Sequence, residues 1–152
     1  IDLLPTIAHL IGAELPKHKI DGKSIWPLIA GEPGAKSPQE AYFLYYGKQL
    51  QAVRTDRWKF HLPHGYRHYL MDQVGQDGHP GETEQKKIGY ALYDMDNDRE
   101  ETTDVADQHP EVVAQMKRLA EQMRADLGDH GQPGPGVRPS GQLSEGDTRL
   151  TW

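Results

Sequence analysis

Three of the eight histidines, His61, His64 and His68, stand three and four residues apart, with Lys59 just before them and Arg67 among them. On a helix that spacing would stack the imidazoles on one face as metal ligands. Pro63 and Gly65 break any such helix, since proline lacks a backbone N–H and glycine destabilises a helix interior. The pattern therefore does not read as a zinc site. What it allows is anion chemistry. Imidazole titrates near neutrality and a lysine stays charged, so a strand with Lys59 and His61 on one face, leading into a turn with His64, presents cationic groups to a bound anion. His68 lies further along the same polar stretch. The simpler reading is that these are solvated surface groups, and the weakness of short motifs favours it.

Other constellations fail on mechanism. Asp94-Met95-Asp96-Asn97-Asp98-Arg99-Glu100 imitates the start of a calcium-binding loop, but the sixth position needs glycine and holds Arg99, and the twelfth needs glutamate and holds Val105. Short Asx side chains there turn the chain out of a strand instead. Ser24, Ser37, Ser140 and Ser144 lack a Gly-x-Ser-x-Gly elbow and supply no hydrolase nucleophile. Tyr42, Phe43, Tyr45, Tyr46, Trp58 and Phe60 fall at strand spacing and read as core rather than as a stacking platform. The 152 residues include no cysteine, which excludes disulfides, thiolate metal sites and thiol nucleophiles. A formal charge of −6 argues against a nucleic-acid partner. No apolar run has the length of a membrane span and no leader pattern opens the chain, so it reads as soluble.

The elements that would position the Lys59–His61 strand are predicted as follows. A helix opens the chain, with Asp2 as cap, Pro5 in the first turn, Gly12 at the stop, and Leu3, Leu4, Ile7, Leu10 and Ile11 on one apolar stripe. A short helical turn forms around Ile25, Trp26, Leu28 and Ile29. Ala41 to Tyr46 reads as an internal strand, Leu50 to Arg54 and Arg57 to Leu62 as a hairpin joined at Thr55-Asp56, and Tyr90 to Asp94 as a fourth strand. Between them, residues 63–89 read as a long polar loop. An amphipathic helix from His109 to Leu127 places Val112, Met116, Leu119, Met123 and Leu127 against one sheet face. Beyond Gly128, repeated Pro and Gly with little to bury predict a mobile tail.

Four stretches then carry a resemblance. They are Asp2-Leu3-Leu4-Pro5-Thr6-Ile7 running to Ile20-Asp21-Gly22-Lys23-Ser24, Ala52-Val53-Arg54-Thr55-Asp56-Arg57-Trp58-Lys59-Phe60-His61, Ala91-Leu92-Tyr93-Asp94 with Glu101 and Asp104, and His109-Pro110-Glu111-Val112-Val113. In order and spacing this set resembles the C-terminal part of the sulfatases, the arylsulfatases above all, within the alkaline-phosphatase-like superfamily. Where many members have Pro-Gly, this chain has Arg99-Glu100. The resemblance implies a parent enzyme that hydrolyses sulfate esters with a formylglycine and a divalent cation, usually calcium. The Cys- or Ser-containing Pro/Arg motif for formylglycine is missing here, and the family's calcium ligands lie upstream. The resemblance therefore implies no catalytic residue, metal ligand or cofactor within this chain, and Ile1 reads as an internal cut.

The expected class is α+β: a small antiparallel sheet of about four strands with an N-terminal helix, a C-terminal amphipathic helix and a disordered Gly/Pro tail. Residues 1–128 are expected to form a sulfatase C-terminal subdomain, with 1–13 leading out of the missing catalytic domain, and 129–152 a flexible tail. The expected partners are that catalytic domain, through Leu3, Ile7, Leu10 and Ile11, and a sulfated small molecule or glycan at Lys59, His61, His64 and His68. No residue reports a compartment, and the resemblance implies a periplasmic or secreted parent. The alternatives are a stand-alone binding module and the equivalent part of a phosphonate hydrolase.

Overall fold

A computed structural model describes residues 1–139. In chain order the elements are α1 (Leu3–Ile11), α2 (Trp26–Ile29), β1 (Tyr42–Tyr46), β2 (Gln49–Arg54), β3 (Trp58–His61), β4 (His64–Tyr69), β5 (Thr83–Ile88), β6 (Ala91–Asp94), α3 (Pro110–Leu127), β7 (Gly128–Asp129) and β8 (Gln132–Pro133). The fold is α+β, with an antiparallel four-stranded sheet in the order β1-β2-β3-β6. All four strands lie where the sequence pattern places them. Thr55 N–H bonds to the Trp58 carbonyl at 2.9 Å and closes the β2–β3 turn.

Period-two alternation gives this sheet two unlike faces. Val53, Phe60 and Leu92 face each other in register across β2, β3 and β6, and all three are completely buried. Met116, Leu119 and Ala120 of α3 close over them, joined by Leu50 and Leu62. Each large side chain in this core contributes on the order of 1.5–3 kcal/mol by leaving water. The opposite face carries Lys59, His61 and Tyr93, where Lys59 and Tyr93 are cross-strand partners.

The structure departs from the sequence reading in four places. β1 is an edge strand, not an internal one, with Tyr42, Leu44 and Tyr46 exposed and only Phe43 and Tyr45 packed toward the core. Residues 63–89 are not a structureless loop, because β4 and β5 pair from His64↔Ile88 to Tyr69↔Thr83 as a separate ribbon. Both strands are polar on both faces, so nothing in their periodicity marks them as strands.

The third departure is α1. It stops at Gly12 in a left-handed conformation as expected, but Asp2 makes no side-chain capping bond. Asp2 is only 7 % exposed, and its carboxylate accepts instead from Lys23 N–H (2.8 Å), Gln39 Nε2 (2.7 Å) and the Tyr42 hydroxyl (3.2 Å). Thr6 Oγ1 accepts from Ile25 N–H at 3.0 Å. The side of α1 that faces inward is the narrow one of Pro5, Thr6 and Ala8, and Leu3, Leu4, Ile7, Leu10 and Ile11 stay outside at 51–71 % exposure. Finally, order persists past residue 128. The Tyr45 hydroxyl donates to the Gly128 carbonyl (2.8 Å), and Asp129 accepts from Leu50 N–H (2.9 Å) and Arg124 Nε (2.7 Å). Arg138 pairs with Asp21. The rest of the expected tail, from residue 140, lies outside the described residues. Among the described residues no helix is long and apolar enough to cross a membrane.

Candidate anion-binding site

Strand β3 projects Lys59 and His61 from the sheet face opposite the core, two residues apart and therefore on one side. Both meet the same carboxylate. Lys59 Nζ donates to Glu101 Oε1 at 2.5 Å, and His61 Nε2 lies 2.7 Å from Glu101 Oε2. A carboxylate in this role only accepts, so His61 carries its proton on Nε2. Its other nitrogen, Nδ1, is buried and has no partner among the described residues.

Burial, the first cause, holds the His61 imidazole below its ordinary pKa, with Lys59 and His64 adding to the effect and Glu101 opposing it. His61 is thus neutral at neutral pH, and a doubly protonated ring would put a charged N–H into unpaired burial. For Glu101, burial pushes upward but the bonds from Lys59 and His61 prevail, so its carboxyl sits below the usual range and is ionised. Lys59 with Glu101 is an ion pair; His61 with Glu101 is a hydrogen bond.

His64 follows the strand end across Pro63. Its Nδ1 lies 2.6 Å from the Leu62 carbonyl, which fixes the proton on Nδ1 and leaves Nε2 as the nitrogen for a ligand. The His64 ring stacks on His61 with centroids 5.5 Å apart, and the Tyr93 ring meets His61 edge-on at 5.6 Å. Tyr66 and His68 continue along β4, with ring centroids 6.3 Å from His64 to Tyr66 and 6.4 Å from Tyr66 to His68. The structure therefore brings Lys59, His61 and His64 together, and connects His68 to them only through Tyr66. His61 is a half-buried network member rather than a solvated loop histidine. Among the described residues, no group of three or more His, Cys, Asp or Glu is arranged to hold a metal ion. The side chains described do not fit a calcium site.

Glu101 is the residue that the local motifs missed. It lies forty residues from His61, beyond the reach of any spacing rule. The loop that delivers it is locked by Asp98, whose carboxylate accepts from the N–H groups of Thr102 (2.8 Å) and Thr103 (2.8 Å). Asp104 then ties the loop back to β6 by accepting from Leu92 N–H at 2.9 Å. Thus the acidic run from Asp94, which imitates a calcium loop, serves as a turn that swings a carboxylate over the sheet.

The family model for the C-terminal region of aryl-sulfatase matches residues 37–134, which include all of this site. The chain belongs to the sulfatase C-terminal family. Among its relatives, human arylsulfatase A is 34 % identical over 130 residues, covering 78 % of this chain and 25 % of that enzyme. Mouse steryl-sulfatase is 46 % identical over 55 residues, covering 36 % of this chain and 9 % of that enzyme. A solved structure from Bacteroides thetaiotaomicron, described in connection with the metabolism of multiple glycosaminoglycans, shares the fold at a TM-score of 0.56 and 24 % identity. The match covers 82 % of this chain and 24 % of that one. This sulfatase C-terminal region thus spans about a quarter of the length of such relatives.

Proposed function

We propose that this chain serves sulfate-ester hydrolysis as the C-terminal subdomain of a sulfatase, completing the fold of a catalytic domain and forming part of its substrate rim. The chemistry would come from a formylglycine and a calcium ion on that other domain, as the family resemblance implies. Lys59 and His64 supply the cationic and hydrogen-bonding groups of the rim, His61 braces them, and His68 lies at its far end. The observation that carries this reading is the convergence of Lys59 and His61 on one carboxylate with His64 stacked beside them. The exposed stripe of Leu3, Ile7, Leu10 and Ile11 supports docking to the catalytic domain, because an apolar patch of this kind marks an interface.

The test is kcat/KM for a small aryl sulfate and for a sulfated oligosaccharide in the full-length enzyme carrying His61→Ala or His64→Ala. Contacts remote from the scissile bond act on the larger substrate's transition state, so the oligosaccharide should lose more. Unchanged kinetics on both substrates would remove these histidines from the rim.

A further inference from the structure

Glu101 occupies a backbone position that suits a different residue. Its φ is +58°, the left-handed region that glycine enters freely and that a long side chain occupies at a cost. Asp98 holds the loop in this shape from below. A chain needing only a turn here is better served by Gly or Asn; one needing a carboxylate over Lys59 and His61 must accept the strain. The paired contacts, with Nδ1 of His61 orphaned behind them, give that carboxylate a definite task.

We propose that Glu101 is a positioning residue for the rim. It commits His61 to the neutral, Nε2-protonated tautomer and anchors Lys59, so that the stacked His64 ring is held with its free Nε2 toward the ligand. The inference rests on the rim reading and adds a division of labour to it. His61 faces Glu101, Lys59, His64 and Tyr93, and no described residue satisfies its Nδ1. It is consequently a support, not an anion ligand. The ligand chemistry is an oxyanion, such as a sulfate ester, received by His64 and Lys59.

The experiment uses the 152-residue chain and inorganic sulfate as probe. Imidazole nitrogen–proton correlation spectra report the tautomer of each histidine, and sulfate titration reports the response at His64. In the parent chain His61 should show the Nε2–H tautomer at neutral pH and stay unmoved by sulfate, while His64 shifts. In Glu101→Gln, the charged Lys59 claims the single carbonyl oxygen and turns the amide N–H₂ toward His61. The Nδ1–H tautomer should then appear, and the sulfate response at His64 should weaken by about fivefold, the factor of one lost hydrogen bond. Glu101→Ala, which offers His61 no donor, should weaken the sulfate response at His64 without driving the Nδ1–H tautomer, with the backbone amide spectrum confirming a folded chain. A protonated or Nδ1–H His61 in the parent chain overturns the proposal without any variant. So does an unchanged tautomer and sulfate response in Glu101→Gln. If the tautomer depends on Glu101 but His64 never responds to sulfate, the rim reading falls and only the hold of Glu101 on His61 survives.

Discussion

His61 donates its Nε2–H to Glu101, forty residues away, while its Nδ1 is buried with no partner among the described residues. A ring satisfied on one side only is tolerable when neutral and costly when charged. This makes His61 a pH-sensitive element of the fold. Its folded pKa lies below the ordinary 6.5, so the unfolded chain takes up the proton first on acidification. Stability from this site is complete above about pH 6.5 and declines as pH falls from there toward the folded value. Melting curves of the parent chain and His61→Gln between about pH 5 and 8 check it, and equal slopes for the two proteins refute it.

Removing the Asp2 carboxylate should loosen α1. Asp2→Ala leaves the donors on Lys23, Gln39 and Tyr42 without their acceptor, at a cost of about 1–3 kcal/mol. Amide exchange in residues 3–11 should accelerate far more than in β2 and β3, and uniform acceleration would contradict the local role given to Asp2.

How much of this was legible in the sequence depends on range. The four sheet strands and α3 announce themselves through apolar residues at strand or helix spacing, and burial of Val53, Phe60, Leu92 and Met116 follows from that spacing. The β4–β5 ribbon has no apolar face to announce it. Lys59, His61 and His64 stand out as chemistry-bearing types, whereas Glu101 is legible only as part of the family resemblance and not as their partner. Only the fold of residues 94–105 reveals it, since a contact forty residues long leaves no periodic trace. The fate of Asp2 was hidden for the same reason: its partners lie 21 to 40 residues on.

The core on the other face of the sheet should be unforgiving. Phe60→Ala empties a fully buried ring site between β2, β6 and α3 and should destabilise the chain by about 3–5 kcal/mol in chemical denaturation. A loss under about 1 kcal/mol would mean that α3 collapses onto the gap.

His64→Ala offers the contrast. His64 is half-buried at the foot of the ribbon, outside the core cluster, and its loss should move stability by roughly half a kcal/mol at most. A large drop in melting temperature would recast it as structural.

Charging the outward stripe should help the isolated chain and harm the assembled enzyme. Ile7→Glu with Leu10→Glu replaces exposed aliphatic groups, so light scattering should show less self-association at nearly unchanged melting temperature. Association with a separately produced catalytic domain should fail. Persistence of that association in the double variant would place the interface elsewhere.

The narrow buried side of α1 also sets how this helix behaves when the molecule is stressed. A helix that buries only the small Pro5, Thr6 and Ala8, and not its aliphatic stripe, exposes little new apolar surface when it detaches. Its detachment therefore carries little heat-capacity change and a shallow denaturant slope, unlike collapse of the Phe60 core. In low urea, exchange of the α1 amides should stay nearly flat while that of β2 and β3 steepens. That outcome would make the N-terminal helix a cooperative unit of its own, opening while the sheet stays intact.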